Sequence, residues 1–226
     1  MTLETTTRGP AATTKVNEVL DQLRAEIVHG DLTPGEKLRL EHLAPRYGVG
    51  RTPLREACCR LVSEGLVTSQ DQRGFRVAEI SRSDLLDVTR TRQQIESLAL
   101  RASIQHGDDA WEGDVTAALH RLRRAASRTR PGGAFDEDWE REHARLHGAL
   151  LAACKSPLLL RFSAMLFEHS ARYRRLAGAN TRPAGDVHRE HDALVRAALA
   201  RDAERACALL VEHIAATAER ALAVCP

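Results

Sequence analysis

The chain has 226 residues, 43% hydrophobic and 28% charged, with 33 Lys and Arg against 31 Asp and Glu. This is the composition of a folded protein with one large or two ordinary domains, and it excludes a disordered or fibrous chain. A formal net charge of +2 points to no nucleic-acid partner by itself, so any basic surface has to be local.

The chain opens on "MTLETTTRGPAATT", which lacks the apolar core of a signal peptide and reads as a disordered arm over residues 1–14. From Lys15 to His29, Val16, Val19, Leu20, Leu23, Ile27 and Val28 recur at three-to-four spacing, which predicts an amphipathic helix. Gly30 and "DLTPGEKL" stop it with turn chemistry, and a short helix, "RLEHLAPRYG", ends at Gly48. Next comes "GVGRTPLREACCRLVSEGL", residues 48–66, in which Leu54, Ala57, Cys58, Leu61 and Val62 form one apolar stripe. Thr52 and Pro53 are tolerated there because first-turn amides have no intrahelical partner. The alternation in "LVTSQDQRGFRVAEI", around a turn near Asp71–Gly74, predicts a β-hairpin.

Helix, helix, turn, helix and hairpin make the winged form of a helix-turn-helix. Its second helix fits the major groove of duplex DNA, where an arginine grips guanine O6 and N7 with two parallel hydrogen bonds. Arg51 and Arg55 lie one turn apart, away from the apolar stripe. Between residues 46 and 76, Arg46, Arg51, Arg55, Arg60, Arg73 and Arg76 stand against Glu56, Glu64 and Asp71. The local balance is therefore positive, although a solvated helix face would look the same when taken alone.

Residues 81–226 read as all helix, with segments near 83–106, 109–128, 135–154, 157–178, 184–200 and 202–223 and Ser83 available to cap the first. Six amphipathic helices with short connections predict an antiparallel bundle. No apolar run approaches the roughly 20 residues of a membrane span. The five cysteines, Cys58, Cys59, Cys154, Cys207 and Cys225, are odd in number and contain no C-x-x-C. That suits a reducing cytosol, and the expected location is cytoplasmic.

Histidine carries the chemistry of this half. His143 and His147 stand at i and i+4 on one helix face, while His191 and His213 fall on two further helices. Imidazole suits Zn, Ni or Cu, with Mn or Fe when oxygen ligands join. His29, His42, His106, His120 and His169 have no such companions and read as surface residues, and His188 is a neighbouring decoy for His191. "EREH" gives one Glu-x-x-His at Glu140–His143, the half-motif of a di-iron bundle, with no second copy.

Residues 15–80 resemble the DNA-binding domain of the GntR family, through "GVGRTPLREACCRLVSEGL" and "QRGFRV". The resemblance implies that Arg51, Thr52 and Arg55 contact an operator and that Arg73 and Gly74 approach it from the wing tip. Two departures stand out. Gly50 replaces the family's serine and removes a capping hydroxyl, and Glu41 replaces a basic residue, for which Arg39 is the substitute at hand.

Residues 84–216 resemble the FCD effector domain of the FadR-type branch, in its VanR-like six-helix subgroup. The match runs through Arg92 with Glu96, "HARLHGALLAACKSP" and "EHDALVRAALARDAERACALLVEH". His147, His191 and His213 fall on the family's metal-binding histidines, and His143 stands where the fourth ligand is usually Asp. The implied cofactor is a divalent ion, Zn or Ni favoured and Mn possible, with Glu142 the carboxylate that could swing in. Ser156 replaces the family's Asn before Pro157.

The implied partners are a near-palindromic double-stranded operator, a small organic acid paired by Arg92, and a second copy of the chain. Arg172 and Arg174 are further candidates for the effector pocket. The expected function is a ligand-responsive transcriptional regulator, a repressor by default. The competing readings are a bundle that serves only dimerisation and a histidine-site metalloenzyme. The latter leaves residues 15–80 unexplained.

Overall fold

The computed structural model describes residues 10–70, 74–126, 137–176 and 184–225. Its chain divides into two compact units, Met1–Glu79 and Ile80–Pro226.

In the first unit, α1 (Pro10–His29) takes in residues 10–14, which the composition assigns to the arm. Proline pre-sets the helical φ and its missing N–H costs nothing at a first turn, and two alanines follow it. Val16, Val19, Leu20, Leu23 and Ile27 are buried as the spacing predicts. Val19, Leu20, Leu23 and Ile27 share one core with Leu54, Ala57, Cys58 and Leu61 of α3 (Arg51–Ser63).

The two helices of the helix-turn-helix end alike. After α2 (Leu40–Arg46), Gly48 takes φ +63°, its N–H bonds Pro45 O, and Val49 N–H bonds Ala44 O. After α3, Gly65 takes φ +75°, its N–H bonds Val62 O, and Leu66 N–H bonds Leu61 O. Both are glycine C-caps in which the last carbonyls are satisfied and an apolar residue follows.

The hairpin forms from β2 (Val67–Gln70) and β3 (Gly74–Val77), paired antiparallel. The sheet has a third member that the turn chemistry of "DLTPGEKL" conceals. β1 (Lys37–Leu38) pairs with β3 through Lys37↔Arg76 and Leu38↔Phe75, giving the order β1-β3-β2. Two residues are too few to show alternation in a sequence, so this strand is defined by its partner alone.

The second unit is the expected helical bundle: α4 (Arg82–His106), α5 (Asp109–Ala126), α6 (Glu137–Leu151), α7 (Pro157–Leu176), α8 (Ala184–Leu199) and α9 (Ala203–Leu222). α4 packs against α6, α7 and α9. Its cap is Ser81 rather than Ser83. Ser81 has extended backbone, φ −153° and ψ 160°, and its Oγ accepts from Asp84 N–H at 3.1 Å. Either serine has the right chemistry, and the path of the chain decides which one is extended. Ser156 also caps: its Oγ accepts from Leu159 N–H at 3.3 Å, so the change from Asn keeps the start of α7. No helix among the described residues is long and apolar enough to cross a membrane.

Candidate metal centre and nucleic-acid surface

The three helices of the bundle that carry His143, His147, His191 and His213 bring them into one buried cluster. One ligand atom from each lies within 4.8 Å of the others. Ring centroids are 4.7 Å apart for His143–His147 and 4.6 Å for His191–His213. Exposures of 2, 3, 1 and 6% in chain order place all four in the interior, while His188 is half-buried. His42, His106 and His120 are exposed, and His29 and His169 are half-buried, so the expected surface set is only partly on the surface.

A buried imidazole ordinarily satisfies its nitrogens. Here His143 Nδ1 and Nε2 and His147 Nε2 have no hydrogen-bond partner among the described residues. Orphaned buried polar atoms cost about 1–3 kcal/mol each, so their concentration at one point needs an explanation. Burial also holds the rings neutral. It pushes His143 well below the usual imidazole range, and the repulsion a charged ring would meet from a protonated neighbouring histidine and from Arg174 adds to the effect. Burial lowers His147 to about 4 against the opposing pull of Glu96, and His213 to about 4 against Glu190. Neutral imidazoles with free lone pairs fit a borderline divalent cation, and they fit Zn or Ni better than an oxygen-seeking ion.

Carboxylates stand behind these rings. Glu190 Oε2 lies 3.1 Å from His213 Nδ1, and Glu96 Oε2 lies 3.6 Å from His147 Nδ1. Such partners fix which nitrogen faces a metal and raise its basicity. Glu96 is 1% exposed and is held by Arg92, which donates from Nε to Oε1 at 2.6 Å and from Nη2 to Oε2 at 3.2 Å. Burial alone would raise the Glu96 carboxyl. The Arg92 charge and the contact with His147 outweigh it and hold it at about 2.

Arg92 itself is 2% exposed and so belongs to the interior of the bundle. Its Nη1 donates to Ser170 Oγ at 3.0 Å, and its guanidinium lies 5.0 Å from the centre of the Phe167 ring. Arg174 does the same from the other side of the sequence. Its Nη1 donates to Ser170 Oγ at 3.0 Å, it lies 4.5 Å from the Phe167 centre, and it pairs with Glu140. Arg172 is buried next to Tyr173, with burial lowering its pKa. Glu142 bonds Arg145 at 2.5 Å and lies 3.5 Å from Arg121, so the carboxylate on α6 nearest His143 is Glu140, 3.9 Å from its Nδ1. Sequence reasoning missed Glu140, Glu190, Phe167 and Ser170 as members of this site. The one visible signal was the Glu-x-x-His spacing at Glu140–His143.

On the first unit, the arginines of residues 46–76 separate by use. Arg46 pairs with Glu26 at 2.9 Å, Arg60 bonds Glu56 and Asn17, and Arg76 donates to Gly35 O at 2.9 Å. Arg51, Thr52 and Arg55 are exposed in the first turns of α3, and Arg39, at the N-cap of α2, is exposed as well. Gly50, the N-cap of α3, makes no side-chain cap, as the loss of a hydroxyl requires. Gly74 opens β3 with φ +83° and open space where a Cβ would lie, so the turn needs it for conformation rather than for room. Arg73 lies outside the described residues.

The family model for "Bacterial regulatory proteins, gntR family" matches residues 15–77, and that for the FCD domain matches residues 87–216. The chain is 43% identical over 201 residues to the HTH-type transcriptional regulator BphR of Paraburkholderia xenovorans (strain LB400), covering 88% of this chain and 82% of that protein. It is 38% identical over 196 residues to the HTH-type transcriptional repressor GlaR of Escherichia coli (strain K12), covering 85% of this chain and 89% of that one. The solved structure of E. coli McbR/YncC superposes with a TM-score of 0.72 at 21% identity, over 88% of this chain and 93% of that one, a likeness of fold. A winged helix-turn-helix with exposed arginines at the front of α3, joined in one chain to this histidine-bearing bundle, therefore belongs to the GntR family of DNA-binding transcriptional regulators, in the branch that carries an FCD domain.

Proposed function

We propose that the protein represses transcription from a near-palindromic operator and that a small organic acid, bound beside a metal ion in the bundle, relieves the repression. Residues 15–80 read the DNA and residues 81–226 bind the ligand and dimerise. Arg51, Thr52 and Arg55 meet base edges and phosphates in the major groove, Arg39 adds a backbone contact, and Arg73 and Gly74 reach the flanking phosphates or minor groove. Two copies present two such helices to successive grooves. Repression is the direction supported by GlaR, which is named as a repressor.

His143, His147, His191 and His213 hold the ion, Zn or Ni by preference and Mn with weaker support because no carboxylate joins the four nitrogens. When bound, the ion supplies a positive centre that a carboxylate can ligate. Arg92 supplies the second attachment. Its guanidinium carries five N–H groups, of which Glu96 and Ser170 take three among the described residues, so two remain for the acid. A ligand that binds one arrangement of the bundle more tightly shifts operator affinity by its coupling energy, about 1–3 kcal/mol in known cases.

The observation that carries this reading is the cluster of buried imidazoles with orphaned nitrogens. Elemental analysis of protein purified without a polyhistidine tag should find about one ion per chain. A thermal-shift screen of small carboxylates should find stabilisation that a chelator abolishes. Metal-free protein, with carboxylate responses unchanged in a His147→Ala variant, would overturn it.

A further inference from the structure

The bundle contains the same three-residue relay twice. In one, Arg92 grips Glu96 through Nε and Nη2, and Glu96 Oε2 turns to His147 Nδ1. In the other, Arg174 grips Glu140 through Nε and Nη2, and Glu140 Oε2 turns to His143 Nδ1. The two are joined, because both arginines donate from Nη1 to the one Ser170 Oγ, each at 3.0 Å. Both guanidinium groups also lie against Phe167, at 5.0 and 4.5 Å from the ring centre. The second relay explains the Glu-x-x-His spacing of α6 without any di-iron chemistry: i and i+3 put the carboxylate and the imidazole on one face.

We infer that Glu140, held by Arg174, is a positioning residue of the metal centre, accepting a hydrogen bond from His143 Nδ1 so that Nε2 turns to the ion. The inference rests on the metal reading above and goes beyond it, since it names the residue that orients His143. His143 stands where the family's usual ligand carries a negative charge, and a neutral imidazole brings none. Four neutral ligands bring no charge of their own to a buried dication, and Glu140 sets a carboxylate behind His143 as Glu96 and Glu190 do behind His147 and His213. Trp139 stacks on His143 at 4.6 Å and 24°, which fixes the plane of the ring and leaves its Nδ1 edge facing Glu140. The gap of 3.9 Å is too long for a hydrogen bond in the metal-free protein. An ion held at Nε2 would leave the ring's proton on Nδ1, the nitrogen that faces Glu140. Glu142 is as buried as Glu140 but turns to other partners, its Oε1 accepting from Arg145 and its Oε2 lying 3.5 Å from Arg121.

The test is a set of zinc and nickel affinities, measured on the full-length protein by competition with a chromogenic chelator, with far-UV circular dichroism to confirm the fold. Glu140→Gln keeps the shape and removes the charge, and should weaken metal binding about 10–100-fold, the usual effect of losing such a partner. Glu142→Gln should leave it unchanged. Glu140→Gln also strands the Arg174 charge, so the double variant Glu140→Gln/Arg174→Gln, which removes both, should show the same weakening. In a His143→Asp background the ligand carries its own charge and has no Nδ1 proton to donate, so adding Glu140→Gln should cost no affinity. That loss of effect separates positioning from general stability. Wild-type affinity in Glu140→Gln, equal weakening by Glu142→Gln, or undiminished weakening in the His143→Asp background would each overturn the inference while leaving the metal site standing. Absence of metal binding by the wild-type protein would overturn both.

Discussion

On α3, Arg51 and Arg55 are exposed and their removal leaves no buried group stranded. In the bundle, Arg92 is 2% exposed, grips a carboxylate that is 1% exposed and shares a serine hydroxyl with Arg174. The same side chain is thus left in solvent in one unit and given inside partners in the other. An arginine kept for DNA must stay solvated until the phosphates and bases replace its water. A buried arginine must be satisfied at once, because an unpaired interior charge costs several kcal/mol. Exposure and internal pairing therefore separate Arg51 and Arg55, the proposed readers, from Arg92 and Arg174, which support the interior.

The sharpest break of that comparison is Arg92→Ala. It strands Glu96 in the interior and should cost about 3–5 kcal/mol in chemical denaturation. A loss below about 1 kcal/mol would show that Glu96 is neutralised cheaply and that the pair is no support. Metal comes next. Zinc at a hundredfold excess over its dissociation constant should stabilise the protein by about 2.7 kcal/mol, and the gain should vanish in His147→Ala.

The same sample with chelator tests the neutral rings. His147 and His213 titrate at about 4 in the fold against 6.5 when free. Between those values the unfolded chain binds more protons, so stability should rise with pH from about 4 to 6.5 and level off above. Glu96, at about 2 against 4.5, pushes the same way lower down. A metal-free protein whose melting temperature is flat from pH 4 to 6.5 would contradict burial of the rings.

Arg55→Ala is the reverse case. The melting temperature should hold, while binding to the cognate operator weakens by about 1–3 kcal/mol against random competitor in fluorescence anisotropy. An unchanged operator affinity would remove Arg55 from the readers. The smallest effect expected is that of Ser81→Ala, about 1 kcal/mol of bundle stability from the lost cap of α4, with Ser83→Ala near zero.

Much of this was legible beforehand. The apolar spacing along α1 and α3 and the six segments of the bundle came from periodicity, which the burial of Leu23, Leu54 and Leu61 repeats. Spacing, helped by family resemblance, also singled out the four histidines. β1, two residues long, was not legible, because a strand that short exists only through its partner. Neither was the relay through Glu140: i and i+3 spacing says that two side chains share a face, not which third group from another helix meets them.

By itself, then, the order of residues determined which faces turn inward, where helices stop, and which residues are available for chemistry, since these depend on neighbours three or four positions away. Only the tertiary structure decided that Arg92 is a buried support, that Glu140 rather than Glu142 backs His143, and that Ser170 ties two relays together. Those pairings join residues up to 78 positions apart, and only packing brings such residues within hydrogen-bonding reach.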